Sequence, residues 1–184
     1  DAGRGLDPGR SRMTGKILAG LIVITALIAG AGMYYLQVYG FYDEVTQEEV
    51  NLVSVVSDQP EPIPFTDFQA IDADSSPIRY RACFTTEMSL ATLTETFVGL
   101  DRAEPRNAPD WFDCFDAAAI GAELEAGTAL PFLSQKNVHY GVDRVVAITQ
   151  DGRGYVWHEL NDCGEKAYDG TVVGEECPER PADD

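Results

Sequence analysis

The sequence predicts an α+β protein: one N-terminal transmembrane helix, followed by a small domain with a mainly antiparallel sheet and two or three short helices. Two observations carry this prediction. An uncharged apolar stretch occupies Ile17–Tyr39, and segments with the two-residue alternation of strands, interrupted by short helical signals, follow it. Mixed elements of this kind form antiparallel sheets packed against helices.

The stretch Ile17–Tyr39 is long enough to cross a membrane as a helix. It would span roughly 34 Å, against roughly 30 Å for a hydrocarbon core. Lipid offers the backbone no hydrogen-bond partners, so an isolated span must be helical. Small residues recur here at spacings of four and seven, which predicts either a stripe for docking another helix or the ordinary composition of membrane helices. The stripe consists of Gly15, Ala19, Ala26 and Gly30.

The charges on either side of the span predict its orientation. Four basic residues precede it, and the first charged residues after it are acidic, from Asp43 to Glu49. The positive-inside rule therefore places the N-terminus in the cytoplasm and exports the rest of the chain across a bacterial inner membrane. A cleaved signal peptide is the alternative, because Ala29–Ala31 resembles a cleavage site. The chain stays apolar and aromatic for ten residues beyond it, which favours the uncleaved anchor.

The chain accordingly divides into five segments: a cytoplasmic N-terminal segment (1–16), the transmembrane helix (17–39), an extended linker with one candidate strand (40–64), the periplasmic domain (65–178) and a flexible acidic tail (179–184). Residues 40–184 contain 29 Asp or Glu and nine Lys or Arg, a net charge of −20. This balance disfavours nucleic acid and anionic lipid as partners. It favours a protein with a basic face, and simple solubility is the other explanation.

Four cysteines lie on the exported side and predict two disulfides, because the number is even and the periplasm is oxidising. Three pairings exist. We favour Cys83–Cys114 and Cys163–Cys177, since these close short loops and the second braces a polar tail. A metal site is disfavoured, because no CxxC is present and neither histidine has ligand spacing from a cysteine. No cofactor is expected.

Alternation and β-branched residues predict the strands. Ile78–Phe84 alternates apolar and polar side chains, as a half-buried strand does. Thr66–Ile71 is expected to form one helical turn. Asp151–Gly154, between two apolar runs, is a strong β-hairpin signal. The remaining predicted strands are 51–57, 129–133, 142–150 and 155–160, and residues from Asn161 onward are expected to be irregular.

Capping residues and helical spacing predict two helices. Thr85 or Thr86 is the expected N-cap of the first, whose apolar positions repeat at helical spacing until Gly99. Asp116 is the expected N-cap of the second, which is rich in Ala and Glu and ends at Gly127.

Two patterns that could carry chemistry have simpler explanations. Asp72, Asp74 and Ser76 alternate like the start of a calcium loop, but Pro and Cys stand where an EF-hand needs Gly and Glu, so a capped turn is favoured. His139 and His158 are the only histidines. A partly exposed strand histidine is the expected role of His158, since no nucleophile elbow or phosphate loop accompanies it. We therefore assign no catalytic residues.

Trp111, Phe112 and Phe115 surround Cys114 in the segment WFDCF. Aromatic residues beside a disulfide are typical of core packing. They are also common anchors of protein–protein interfaces, so these three residues form a candidate partner contact.

Several longer segments resemble one family of proteins. They are GKILAGLIVITALIAGAGMYYLQVYGFYDEV, AIDADSSPIRYRACF, RNAPDWFDCFDA, NVHYGVDRVVAIT, DGRGYVWHELNDCGEKAYDG and GEECP. Together they resemble an uncharacterised family of alphaproteobacterial single-span membrane-anchored proteins, of the Rhodobacter or Paracoccus type, known as a domain of unknown function. The resemblance covers nearly everything from Met13 to Pro178. It implies an inner-membrane protein and brings no catalytic residues with it.

These observations predict a non-catalytic accessory subunit of an inner-membrane respiratory assembly, of the cytochrome bc1–cytochrome c oxidase type. The helix would contact membrane-embedded subunits, and the acidic domain would bridge subunits or face a cytochrome c with a basic docking face. The step to a respiratory complex rests on analogy. Two alternatives stay open: an envelope assembly or maturation factor that binds a client transiently, and a periplasmic enzyme with an unrecognised site.

Overall fold

The computed structural model describes residues 8–46 and 49–179, and the chain divides between Phe41 and Tyr42 into two compact units. The first contains helix α1 (Pro8–Tyr35), which continues as a π-helical turn at Leu36–Gly40. The stretch Gly15–Gly40 has a mean hydropathy of 2.2 and is long and apolar enough to cross a membrane, a property that N-terminal signal sequences share. The expected apolar helix is therefore present. All but the first residue of the predicted acidic tail (179–184) lies outside the described residues.

The second unit is built on antiparallel strands and two short helices, as the predicted α+β class requires. Its strands are β1 (Asp43–Glu44), β2 (Val50–Val53), β3 (Pro60–Ile63), β4 (Thr66–Asp72), β5 (Arg81–Thr85), β6 (Ala129–His139), β7 (Val142–Thr149) and β8 (Arg153–Leu160). Its helices are α2 (Leu90–Thr96) and α3 (Ala117–Glu125). Six strands form one sheet in the order β1-β4-β5-β8-β7-β6, and every neighbouring pair is antiparallel.

Strands β2 and β3 form a separate hairpin, which an extended segment after α2 joins to the sheet. Phe97 in that segment bridges to Ser54, directly after β2, and Gly99 bridges to Phe132 in β6. These bridges attach the hairpin to the β6 edge of the sheet.

The segment 40–64, predicted as an extended linker with one candidate strand, holds β1 and the whole β2–β3 hairpin. Val50, Leu52 and Ile63 from the hairpin are buried in the core. These residues therefore belong to the packed domain, and the strand at 51–57 is shorter than expected.

Each face of the sheet carries its own hydrophobic cluster. On the hairpin-side face, Leu52, Leu93 and other residues of the hairpin and α2 pack against apolar side chains of the sheet. On the opposite, α3-side face, residues 111–120 cover a second cluster that includes Trp157. The alternation predicted for β5 is correct, because Ala82 points to the first cluster and Cys83 to the second. The expectation that this strand is half-buried is wrong, since both of its faces are covered.

Two local expectations are also wrong. Residues 66–71 form strand β4 instead of a helical turn, because β5 pairs with them over their length. Ser89 caps α2, accepting a hydrogen bond from the Thr92 amide at 3.2 Å, where Thr85 or Thr86 was expected. Thr86 is engaged elsewhere: its hydroxyl donates to the Pro64 carbonyl at 2.8 Å.

The second helix and the last hairpin follow the prediction closely. Asp116 caps α3 by accepting from the amides of Ala118 and Ala119 at 2.9 and 3.1 Å. Gly127 ends the segment with a φ of +68°, a conformation that favours glycine. In the β7–β8 turn, Gly152 has a φ of +83°, as the hairpin signal requires.

Candidate functional site

A row of polar side chains crosses one end of the six-stranded sheet. The β7–β8 register places Arg144 opposite His158. Continuing the β5–β8 and β4–β5 registers by one residue places Tyr80 opposite His158, and Asp72 opposite Tyr80. Strand alternation puts this polar row on the hairpin-side face, where Tyr80 belongs to the core cluster. The tertiary fold thus brings together residues that are far apart in sequence.

His158 lies at the centre of the polar row and is 1% exposed, so the expectation of a partly exposed histidine is wrong. Its Nδ1 lies 2.7 Å from the Pro77 carbonyl oxygen, which can only accept, so Nδ1 carries the proton. Its Nε2 accepts from Nε of Arg144 at 3.1 Å. Both ring nitrogens are therefore used within the domain, which leaves no lone pair for a substrate.

Burial, together with the nearby charges of Arg144 and His139, lowers the pKa of His158 to about 4, although the hydrogen bond to Pro77 opposes the shift. The ring is neutral at physiological pH for that reason. As expected from strand alternation, Glu159 points away from it, and accepts instead from the Trp157 indole at 3.1 Å.

Buried Tyr80 and partly buried Arg144 pack against His158 in the polar row. The Tyr80 ring stacks on His158 with 4.8 Å between centroids, and the Arg144 guanidinium lies 4.6 Å from the Tyr80 centroid. Burial raises the pKa of Tyr80 to about 12, and Arg144 opposes the shift. The phenol therefore stays protonated, and the arrangement is that of a packed polar core.

A cavity of about 430 Å³ lies beside the polar row and joins the two patterns that the sequence offered as candidate chemistry. Asp72, Asp74, Ser76 and His139 all line it. The His139 ring is 5.8 Å from that of His158. The predicted turn is present, because the Ser76 amide donates to the Ala73 carbonyl at 3.3 Å, and the Asp72 carboxylate accepts from the Ala73 amide at 2.8 Å. Within residues 8–46 and 49–179, no group of three or more His, Cys, Asp or Glu is arranged to hold a metal ion.

The aromatic segment around Cys114 is divided between core and surface. Phe112 and Phe115 are 8% and 5% exposed and belong to the α3-side cluster, so they are poorly placed as surface anchors. Trp111 is only partly buried and packs edge-to-face on Tyr42, with 5.9 Å between centroids. It lines a second cavity of about 450 Å³, together with Phe112, Phe68 and other residues of β4.

Arg81 is a buried cation that no sequence pattern had singled out. It is 4% exposed, and its guanidinium donates to four backbone carbonyls at 2.6–3.0 Å. Two of these belong to Arg106 and Asn107, so Arg81 ties the loop before α3 to strand β5. Burial lowers its pKa to about 10, which leaves it charged at neutral pH.

The four cysteines pair as Cys83–Cys114 and Cys163–Cys177, the pairing that the short loops favoured. The first disulfide links β5 to the loop before α3. On α1, a Cβ added to Gly15 or Gly30 would meet no atom within 4 Å, and Ala19 and Ala26 are exposed. The small-residue stripe is thus uncovered by the described part of this chain.

One comparison with known proteins bears on the domain. A family model described as "Family of unknown function (DUF6446)" matches residues 50–178, which hold β2 to β8, both short helices, both disulfides and the polar row. No curated protein and no solved structure matches the chain.

Proposed function

The chain belongs to the DUF6446 family of unknown function, and we propose that it is a non-catalytic accessory subunit of an inner-membrane assembly. The observation that carries the proposal is the pairing, in one polypeptide, of an uncovered apolar helix with a disulfide-linked, strongly acidic domain. Each large apolar side chain from Ile17 to Tyr35 is at least 57% exposed within this chain. Lipid or another protein must cover that surface in the cell.

The orientation follows from the charges around the helix. The basic residues before it favour a cytoplasmic N-terminus, and the acidic residues after it favour export of the domain. Two disulfides support the oxidising periplasm as its compartment. In the alternative, a signal sequence is cleaved and the domain is released from the membrane. The length of the mature protein distinguishes this alternative from an uncleaved anchor.

The acidic surface supports a basic protein as partner. With a net charge of −20 on residues 40–184, the domain attracts a positively charged docking face and repels anionic lipid. The concrete form of the proposal is a respiratory assembly of cytochrome bc1 and cytochrome c oxidase, in an alphaproteobacterium of the Rhodobacter or Paracoccus type. There the domain would bridge subunits or hold a cytochrome c near the membrane.

Purification of the tagged full-length protein in mild detergent tests the proposal. We expect respiratory subunits to co-purify in a fixed ratio, and any soluble cytochrome c to be lost as salt rises, because exposed charges are screened beyond about 8 Å at physiological salt. A matched sample that lacks α1 should lose the membrane subunits. The proposal would be rejected if the protein were recovered alone, or if the mature chain began near residue 32. If proteins co-purify in less than a fixed ratio and are lost as salt rises, a maturation factor that binds clients transiently is favoured.

The cavity beside the polar row favours an enzyme as the second candidate. His139 is exposed at its edge, with Asp74 and Ser76 nearby, whereas His158 has no free nitrogen. Replacing His139 with Ala should reproduce the phenotype of a gene deletion if the cavity is a catalytic site. A variant that behaves as the wild type would exclude a role for this histidine.

A further inference from the structure

The chain between Cys163 and Cys177, here called the cystine loop, forms a small hairpin outside both hydrophobic clusters. Lys166 and Val172 form an antiparallel bridge within it. Gly170 at its turn has a φ of +88°, which favours glycine. As predicted, no helix or regular strand of the described residues follows Leu160, and the loop is held by its own hydrogen bonds and its disulfide.

Its base is joined to strand β6 by one ion pair and is closed by backbone contacts of its own. Both carboxylate oxygens of Glu175 accept from the Lys136 ammonium of β6 at 2.7 Å. The Gly164 amide donates to the Glu175 carbonyl at 2.9 Å. A Cβ at Gly174 would overlap the backbone carbonyl of Asp162, so the two ends of the loop are in close contact. A loop held in this way loses little further conformational entropy when it binds.

The cystine loop exposes large apolar side chains to solvent. Tyr168 is fully exposed (105%), and Val172 and Val173 are 55% and 60% exposed. Four acidic residues and one lysine surround them in the loop sequence. Tyrosine side chains, which combine an apolar ring with a polar tip, are frequent anchors of protein interfaces.

We propose that the cystine loop is the element through which this domain docks a protein partner, one that presents an apolar pocket surrounded by basic residues. The inference rests on the proposed function, since it names the contact of the anchored domain with its partner. The Tyr168 ring would enter the pocket, and the acidic residues would face the basic rim. An anionic lipid surface does not fit, because the acidic loop and domain are repelled by it.

Site-specific photo-crosslinking in the full-length, membrane-anchored protein tests the contact. A photoreactive phenylalanine analogue replaces Tyr168 in one strain and Val56 in the control. Val56 is also a large apolar residue and is 92% exposed, but it lies at the tip of the β2–β3 hairpin. We expect one protein adduct from position 168 and none from position 56, and mass spectrometry should identify a partner whose extracytoplasmic surface is basic.

The identified partner is then purified and titrated against the variants Tyr168→Ser and Val56→Ser. We expect Tyr168→Ser to weaken binding at least about tenfold, and Val56→Ser to change it less than about twofold. Both variants should keep the wild-type thermal unfolding curve, because neither side chain is buried. Three results would overturn the docking role. The first is that position 168 gives no adduct, and the second is that its adduct is with lipid or with an acidic protein. The third is that the two variants bind the partner with equal affinity.

The two proposals fail in different ways. If Tyr168→Ser leaves a co-purifying membrane assembly intact and binds every component normally, the docking loop is wrong while the accessory subunit stands. If no assembly co-purifies but position 168 still crosslinks to a basic protein, the accessory role is wrong and the loop contact stands.

Discussion

Arg144 donates a hydrogen bond from Nε to Nε2 of His158 across the β7–β8 pair, at 3.1 Å. The same guanidinium lies over the Tyr80 ring, on which His158 stacks. With Nδ1 bonded to the Pro77 carbonyl, the imidazole is held neutral in one tautomer. Both ring nitrogens of His158 are thus occupied by partners within the domain.

Acidification should destabilise the domain through His158. Its folded pKa of about 4 lies below the ordinary value of 6.5, so between these values the unfolded chain binds more protons. Stability therefore falls as pH drops below 6.5 and levels off below 4, with a total loss on the order of 3 kcal/mol. Urea unfolding measures the free energy of unfolding of the wild type and of His158→Gln at pH 7, 5.5 and 4. We expect the difference between the two proteins to become smaller as the pH falls. A difference that stays constant over this pH range would contradict the lowered pKa of His158. The control is His139→Gln, at an exposed position, which should lose stability on acidification as the wild type does.

Replacing Arg81 with lysine should destabilise the domain even though the charge is retained. One ammonium cannot reach all four carbonyls that the guanidinium serves, so buried acceptors lose their donors. We expect a loss of at least about 2 kcal/mol in the free energy of unfolding, measured by chemical denaturation. Arg102→Lys is the control, since Arg102 is exposed and should change stability by less than about 0.5 kcal/mol. Equal effects of the two substitutions would show that the carbonyl contacts carry no stability.

The two disulfides should have separable effects. Cys83–Cys114 joins the buried strand β5 to the loop before α3 across 31 residues, so its removal by paired serines should cost about 4 kcal/mol and lower the global melting temperature. Cys163–Cys177 closes a loop outside the core clusters. Its removal should leave the main transition nearly unchanged while amide exchange in 163–177 accelerates. A large drop in melting temperature from the second pair would contradict this division.

Larger side chains in the small-residue stripe should release the helix from the membrane subunits that we propose as its partners. The double variant Ala19→Leu, Ala26→Leu places two large side chains in the stripe, which prevents another helix from approaching α1 closely. We expect it to stay in the membrane fraction but lose the co-purifying subunits. Ile22→Leu, which keeps the side-chain volume on the same helix, should retain them. If the enlarged variant keeps its subunits, the stripe is not the contact.

Elements with strong local signals were predicted well. Helix α3 begins after Asp116 and its segment ends at Gly127, and the turn between β7 and β8 lies within Asp151–Gly154. Both features were predictable because capping and turn geometry depend on neighbouring residues. Residues 66–71 and Thr86 were predicted wrongly for the opposite reason. Residues 66–71 are extended because they pair with β5, which lies further along the chain. The Thr86 hydroxyl bonds to the Pro64 carbonyl, and this contact competes with a role as helix cap.

The sequence by itself determined the apolar helix, the acidic balance, the even cysteine count and the strand alternation, since each depends on residue type and short spacing. Only the tertiary structure decided that both faces of β5 are covered, that Arg81 serves four carbonyls, and that His158 is buried with both nitrogens occupied. The physical reason is that burial and hydrogen-bond partners are set by strand pairing over long separations, which local patterns do not encode.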